Sequence, residues 1–406
     1  TRRTNERMPA DLEAKGLPHA AARRIIPPFT EEHEDLRAAI RRFVAAELRP
    51  HAGQWEADRW FPNDVFTRMA QLGYLGLKYP EAYGGEGGDY VADAVLTEEL
   101  GRCGSGGLAA GIGAHIGIAT PPVFKFGTED QKQRYLVPSI AGTSIAALGI
   151  TEPDAGSDVA GMKTMARPVD GGWVLNGSKM FITNAGHAEW MTCFASTDRS
   201  KGHRGLSAFV VPMGSDGVVV EKKLDKMGQR ATDTSAVAFQ DVVVPAANRL
   251  GEDGDGFRIA MQTLDFTRPG TAIGAVGVAQ AAFELCVDYG KERVQFGMPI
   301  AMNQGVSFLI SDMATEIEAA RLLCWQAAWM IDNGFGRKAT KYSSFAKRFA
   351  ADTAMKVTTD AVQVFGGYGY VEDFPVERYM REAKVLQIVE GTNQVQRMVI
   401  GRSLTA

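Results

Sequence analysis

Three hydrophobic periods follow one another along this chain. From Phe29 to about Ala141 the apolar positions recur at helical spacing, with Leu36, Ile40, Phe43, Val44 and Leu48 on one stripe. Thr30 is the expected N-cap of that helix. Glu31 and Glu32 fill its first turn, and His33 stands where a Glu would complete a capping box. A Gly-rich break over Ala82–Gly88 precedes another helix from near Tyr90. The Gly-dense stretch Gly101–Gly117 reads as partly helical, with close packing as the reason for its glycines.

From about Ser144 to Asn248 the period changes to two. Trp173–Thr183 reads as a hairpin with Asn176-Gly177 at its turn. Leu206–Val211, Gly217–Glu221 and Val237–Val244 read as further strands. Helical spacing returns near Gly256. Val306, Ile310, Met313, Ile317, Ala320, Cys324, Ala327 and Ile331 keep a near-heptad rhythm that suits an antiparallel bundle. Phe345–Phe365 is a long helix stopped by Gly366-Gly367, and Val376–Leu386 is a short one. The expected division is a loosely ordered leader over 1–28, a helical domain over 29–143, a β domain over 144–255 and a helical bundle over 256–406.

Composition narrows the function classes. The chain has 406 residues, 45% of them hydrophobic and 23% charged, as in an ordinary globular protein with a large core. A net charge of −4 gives no broad basic footprint for nucleic acid. No apolar run is expected to reach the length of a membrane span, and nothing at the start reads as a secretory signal. Glu6, Asp11 and Glu13 weigh against a mitochondrial presequence. The expected location is cytoplasmic for a bacterial source and the mitochondrial matrix for a eukaryotic one. Cys103, Cys193, Cys286 and Cys324 are scattered without a C-x-x-C pair, so neither a disulfide framework nor a metal site is expected. H-E-x-x-H, G-x-S-x-G and Walker A patterns are all missing.

Candidate chemistry sits at four places. Glu390 is hinged between apolar residues and a Gly, in Gln387–Gln394. A carboxylate desolvated from one side there becomes a stronger base. Leu148–Asp158 follows a strand and is rich in hydroxyls and backbone freedom, able to meet a polar ring or a phosphate. Phe181-Ile182-Thr183 pairs an aromatic with a hydroxyl at a strand end. In Asp265-Phe266-Thr267-Arg268-Pro269 a guanidinium can meet a phosphate or its own Asp265.

Taken together these segments resemble the acyl-CoA dehydrogenase family of flavoproteins over about Phe29–Leu404. Ile150–Val159 matches I-T-E-P-x-A-G-S-D, and Lys179–Asn184 matches K-x-[FW]-I-T-N. Arg293–Gly297 matches R-x-x-F-G, Gln363–Gly369 matches Q-x-x-G-G-x-G, and Glu390–Gln394 matches E-G-T-x-Q. The resemblance implies a multidomain α+β fold: an N-terminal α-helical domain, a middle β-barrel-like domain and a C-terminal four-helix bundle, assembled as a homotetramer. It implies FAD held without a Rossmann fold. Leu148, Ile150, Thr151, Gly156, Ser157, Phe181 and Thr183 would surround it, with Thr392 and Gln394. Arg293, Gln295, Phe296, Gln304, Gln363, Gly366 and Gly367 would reach the FAD of a neighbouring subunit.

It further implies that Glu390 takes the α-proton of an acyl-CoA while hydride leaves the β-carbon. Ser157, Asp265, Arg268 and Gly391 would border that substrate, and an electron-transfer flavoprotein would accept the electrons. Some relatives carry the base on the helix of Asp265–Arg268; here that helix has Thr267, and the loop has Glu390. Leu108-Ala109-Ala110-Gly111-Ile112 would floor the acyl pocket, which leans toward straight chains of medium length or longer. The alternatives on the same scaffold are an acyl-CoA oxidase using O2, or a non-catalytic flavoprotein binding nucleic acid or a partner.

Overall fold

The computed structural model describes residues 27–405. The expected leader over 1–28 therefore lies outside the described residues, apart from its last two. Helices α1 (Glu31–Phe43), α2 (Ala52–Asp58), α3 (Asp64–Gln71), α4 (Tyr90–Gly101), α5 (Gly106–Ile112) and α6 (Pro121–Phe126) form the first part. Thr30 caps α1, and the capping box is complete after all. His33 supplies the return bond, its Nδ1 accepting from the Thr30 N–H at 3.1 Å. An imidazole nitrogen is a sufficient acceptor where a Glu was expected. The glycines of Gly101–Gly117 do pack closely in part: a methyl on Gly107 would meet the Ala231 backbone nitrogen at 2.5 Å.

One sheet follows, built from β1 (Ala146–Gly149), β2 (Met165–Val169), β3 (Gly172–Thr183), β4 (Trp190–Ser196), β5 (Leu206–Pro212), β6 (Val218–Lys223), β7 (Thr234–Pro245) and β8 (Arg249–Leu250). The strands run in the order β6-β7-β3-β2-β4-β5-β8, with β1 parallel to β4. The expected hairpin over Trp173–Thr183 is instead one unbroken strand. Asn176-Gly177 forms a bulge against β7, where the register shifts between Leu175 and Gly177. Asn176 satisfies the bulge through its side chain, giving a bond to Asp241 Oδ1 at 2.9 Å and accepting the Asp241 N–H at 3.0 Å. Gly177 has φ 145°, and a Cβ there would lie 2.6 Å from Thr164 Oγ1. Asn-Gly thus marks a bend within a strand, a use of the pair that alternation cannot separate from a turn.

The third part holds α7 (Gly256–Glu292), α8 (Gln304–Asp332), α9 (Arg337–Phe365), α10 (Val376–Leu386) and α11 (Asn393–Thr405). Of the heptad stripe, Met313, Ile317, Ala320, Cys324 and Ala327 are buried; Val306, Ile310 and Ile331 nearer the helix ends are half-buried. Pro269 sits inside α7 without ending it. α9 begins eight residues ahead of the expected Phe345, because its first turns are polar and carry no apolar rhythm. A short hairpin, β9 (Val294–Gln295) with β10 (Met298–Pro299), links α7 to α8.

The expectation about apolar runs is corrected too. Two helical stretches, Gly106–Phe126 and Gly256–Glu292, are long and apolar enough to span a membrane by length and composition, with 61% and 72% of their most apolar windows buried inside the fold. Burial of this kind is what a core helix needs, and hydropathy alone does not distinguish the two.

Candidate active site

The short helix α10 ends at Leu386 and delivers the chain to Glu390, which has φ 56°; Gly391 follows at φ 83°. Two successive residues in the left-handed region reverse the chain before α11 begins at Asn393. For a Glu this conformation is held against its own preference. Such a turn aims carbonyls into the protein, where they need donors. Gln396 Nε2 donates to the Glu390 and Gly391 carbonyls at 3.2 and 3.1 Å. Lys347 Nζ from α9 donates to the Gly391 carbonyl at 2.9 Å and to Asn393 Oδ1 at 3.0 Å. Arg268 Nε from α7 reaches the Glu390 carbonyl at 3.4 Å.

Asp352 on α9 ties both flanks of the turn, accepting from Gln387 Nε2 at 2.8 Å and Asn393 Nδ2 at 2.6 Å.

The Glu390 carboxylate itself is held more lightly. Thr267 Oγ1 donates to its Oε2 at 3.0 Å. Arg268 and Lys347, the two nearby cations, bond to loop carbonyls and to neighbouring side chains. Burial raises the Glu390 pKa above the ordinary carboxylate value, against smaller downward pulls from Arg268, Thr267 and Lys347. Burial also depresses Lys347, to about 8, although Glu390 draws it upward. Tyr90, whose hydroxyl donates to the Phe266 carbonyl at 2.7 Å, lies close enough for the Glu390 charge to help raise its own pKa after burial has done most of it.

Asp265 and Arg268 share this neighbourhood: Arg268 Nη1 meets Asp265 Oδ1 at 2.8 Å, and Thr340 Oγ1 holds the other oxygen at 2.8 Å. Sequence reading picked out Asp265, Thr267, Arg268 and Gly391 around Glu390. It passed over Lys347, Asn393 and Gln396. Only a Lys spaced among the apolar and small residues of α9, on its inward side, hinted at the first.

The loop after β1 lies beside the end of β3. Lys179 is fully buried there, with Nζ 2.7 Å from Glu152 Oε1 and 3.2 Å from the Ile150 carbonyl, and the Met180 N–H donates to the Thr151 carbonyl at 2.8 Å. This fixes Leu148, Ile150 and Thr151 next to Phe181 and Thr183. A second register shift, between Lys179 and Ile182, leaves Phe181 at φ 62° and 63% exposed. An aromatic shelf in a strained conformation, flanked by hydroxyls, fits a planar ring. Gly156 and Ser157 are exposed farther along the same loop, as is Gln394 on α11, while Thr392 caps the start of α11 by accepting the Val395 N–H.

A second group of the expected residues gathers elsewhere. Arg293, Gln295, Gly366 and Gly367 line a cleft of about 570 Å³ with Tyr289 and Tyr368. Glu390, Phe181 and the loop after β1 do not line it. Phe296 projects from the β9–β10 hairpin, 95% exposed, and Gln304 and Gln363 are exposed. The residues expected to serve one cofactor thus form two groups within the chain. Of the expected acyl-pocket floor, Leu108, Gly111 and Ile112 are buried in the core. Ala109 and Ala110 are half-exposed, as are Gly113, Ala114, Gly117 and Ile118 farther along the same stretch.

Comparison with known proteins covers all three parts of the chain. The acyl-CoA dehydrogenase N-terminal, middle and C-terminal domain families match residues 30–143, 147–242 and 254–405. A short-chain specific acyl-CoA dehydrogenase of Megasphaera elsdenii is 44% identical, over 93% of this chain and 98% of its own. A chain solved in work on the electron transferring flavoprotein of Acidaminococcus fermentans superposes with TM-score 0.91 at 42% identity, covering 94% of this chain and 99% of that one. An acyl-CoA dehydrogenase of Bacillus anthracis solved with FAD superposes with TM-score 0.87 at 31% identity, covering 93% and 67%. This chain belongs to the acyl-CoA dehydrogenase family.

Proposed function

We propose that the protein is an FAD-dependent acyl-CoA dehydrogenase, converting a saturated acyl-CoA to its trans-2-enoyl thioester, with Glu390 as the base. The observation that carries the role of Glu390 is its setting. A half-buried carboxylate with a raised pKa takes one side-chain hydrogen bond, while the adjacent cations are engaged by the backbone behind it. The α-proton of a thioester is far too weakly acidic for a solvated carboxylate. Desolvation strengthens the base, and a fixed loop keeps it aimed.

Thr267 orients the carboxylate, and Arg268 with Gln396 holds the Glu390 carbonyl. The proton passes from the α-carbon to the Glu390 carboxylate. FAD, when bound, supplies the acceptor for the hydride that leaves the β-carbon. Leu148, Ile150, Thr151, Gly156, Ser157, Phe181, Thr183, Thr392 and Gln394 are the residues we assign to hold it. Asp265, Arg268, Gly391 and Ser157 are assigned to the substrate side.

The second group fits a partner subunit's cofactor, and we infer a homotetramer in which Arg293, Gln295, Phe296, Gln304, Gln363, Gly366 and Gly367 act across an interface. Their separation from Phe181 within one chain supports this, as do exposed apolar side chains nearby, Phe296 and Tyr370 among them. An electron-transfer flavoprotein is the acceptor we assign, on the likeness to the Acidaminococcus chain. For chain length, the named relative favours short acyl groups. The row of Ala and Gly running past Gly117 favours longer ones, since a methyl on Gly113 or Gly117 would touch nothing within 4 Å.

Anaerobic titration of the holoenzyme with straight-chain acyl-CoAs of graded length tests this. Flavin absorbance should bleach with at least one of them and recover on adding electron-transfer flavoprotein. No bleaching with any straight-chain acyl-CoA would remove the proposal.

A further inference from the structure

We propose that Lys347 is a positioning residue for the dehydrogenation, its ammonium locking the left-handed turn that presents Glu390 and keeping that carboxylate ionised. The inference rests on Glu390 being the base. Its own ground is geometric. Lys347 lies on α9, is fully buried, and spends its donors on the turn: the Gly391 carbonyl at 2.9 Å and Asn393 Oδ1 at 3.0 Å. Asn393 is held in turn by Asp352 and by the Arg348 carbonyl, so α9 grips the loop at the residue after the base and at the first residue of α11.

A buried ammonium is costly, and a neutral donor would satisfy the same two oxygens with less desolvation. What the charge adds is electrostatic. Its field reaches Glu390 without a bond to the carboxylate, so the base stays free to take a proton while its ionised form is favoured.

The charged and titratable groups around the pair are few enough to name. Arg268 on α7 and Lys347 on α9 lower the Glu390 pKa, and Thr267 on α7 adds its hydrogen bond. Tyr90 on α4 lies within reach of the Glu390 charge. Lys347 in turn is drawn upward by Glu390 and Asp352 and downward by Arg268 and by burial, which leaves it near 8. Removing the Lys347 charge deletes one downward pull on Glu390. The Glu390 pKa then rises, and a larger fraction of enzyme is protonated and inactive at a given acidic pH.

The test compares Lys347→Gln, Lys347→Met and Lys347→Arg as holoenzymes, reading kcat and KM across pH with bound flavin measured by absorbance. For Gln and Met, the acid limb of kcat/KM should move to higher pH by about half a unit to one unit, so that activity at a fixed pH below the limb falls by about threefold to tenfold. KM should stay within about threefold, and FAD content should be unchanged. Lys347→Arg should restore the acid limb.

A merely structural lysine would lower kcat, or stability, without moving that limb. An unmoved limb in Lys347→Gln therefore overturns the inference, and this neutral donor serves even where Lys347→Met fails to fold. Glu390→Gln separates the two claims. Undiminished turnover in that variant defeats the base assignment itself; a dead Glu390→Gln beside an unmoved limb defeats only the role of Lys347.

Discussion

Glu99 and Glu390 are the same side chain placed under opposite rules. Glu99, near the end of α4, is buried among three guanidiniums: Arg41 at 2.7 Å, Arg102 at 3.3 Å and Arg37 at 3.4 Å. The network extends through Arg102 to Glu284 on α7, and through Arg37 to Glu98, which also pairs with Arg321 on α8. Burial would raise the Glu99 pKa, yet these cations together hold it below the ordinary value. Around Glu390 burial wins and the pKa rises. The nearby Arg and Lys are present, but their N–H groups bond to carbonyls and neighbouring side chains. Pairing a carboxylate directly makes it an inert strut between helices; pairing the backbone beneath it leaves a base.

The largest effect expected from this contrast is at Glu390. Glu390→Gln keeps the shape and the Thr267 contact but cannot accept the α-proton, so kcat should drop by about 10³- to 10⁴-fold. FAD content should be retained and the unfolding midpoint at neutral pH should not fall. The sign follows from the raised pKa: an ionised Glu390 costs the fold stability above its folded pKa, and its protonated form restores that stability as the pH drops. A large loss of stability in this variant would place Glu390 with Glu99 and erase the distinction.

Glu99→Gln should behave in the reverse manner. Breaking a buried, multiply paired charge costs about 3–5 kcal/mol, visible in the denaturation midpoint, while kcat of the folded fraction stays near that of the parent. Because the folded Glu99 pKa is lowered, its contribution is fully present above the ordinary carboxylate pKa and fades as the pH falls through the lower folded value. The gap between parent and variant should narrow over that acidic window. A gap independent of pH would mean that packing, not charge, holds Glu99.

The two regions were also unequally legible in the sequence. Glu390 stood out because a short motif carries it, and Thr267 was noticed through the lack of an acid at its position. The Glu99 network has no local signature, and Lys347 shows only as a Lys among the apolar and small residues of α9. Apart from Arg102, three residues from Glu99, their partners lie dozens to hundreds of residues away, as with Arg321 and Glu98, and only packing brings them together. The β region shows the same limit. Leu206–Val211 is a short, nearly continuous apolar run and forms a strand buried along its length, whereas Asn176-Gly177 reads as a turn locally and becomes a bulge because β7 continues alongside. Period and motif are local quantities, while charge pairing and register are settled by neighbours distant in the chain.

The smallest effect should come from Thr267, the lone side-chain donor on the base among the described residues. Thr267→Val preserves the branched shape inside α7 and removes only the hydroxyl that reaches Glu390 Oε2 at 3.0 Å. That bond favours the ionised carboxylate, so its loss raises the Glu390 pKa further and moves the acid limb of kcat/KM to higher pH. A hydrogen bond to a charged group is worth about 1.5–3 kcal/mol when fully buried. Glu390 is only half-buried and can recover part of that from water, so the expected fall in kcat above the limb is about threefold to tenfold. A drop as deep as that of Glu390→Gln would show that the hydroxyl does more than orient the carboxylate. An unchanged profile would mean that the turn alone aims the base, with its backbone clamps sufficient.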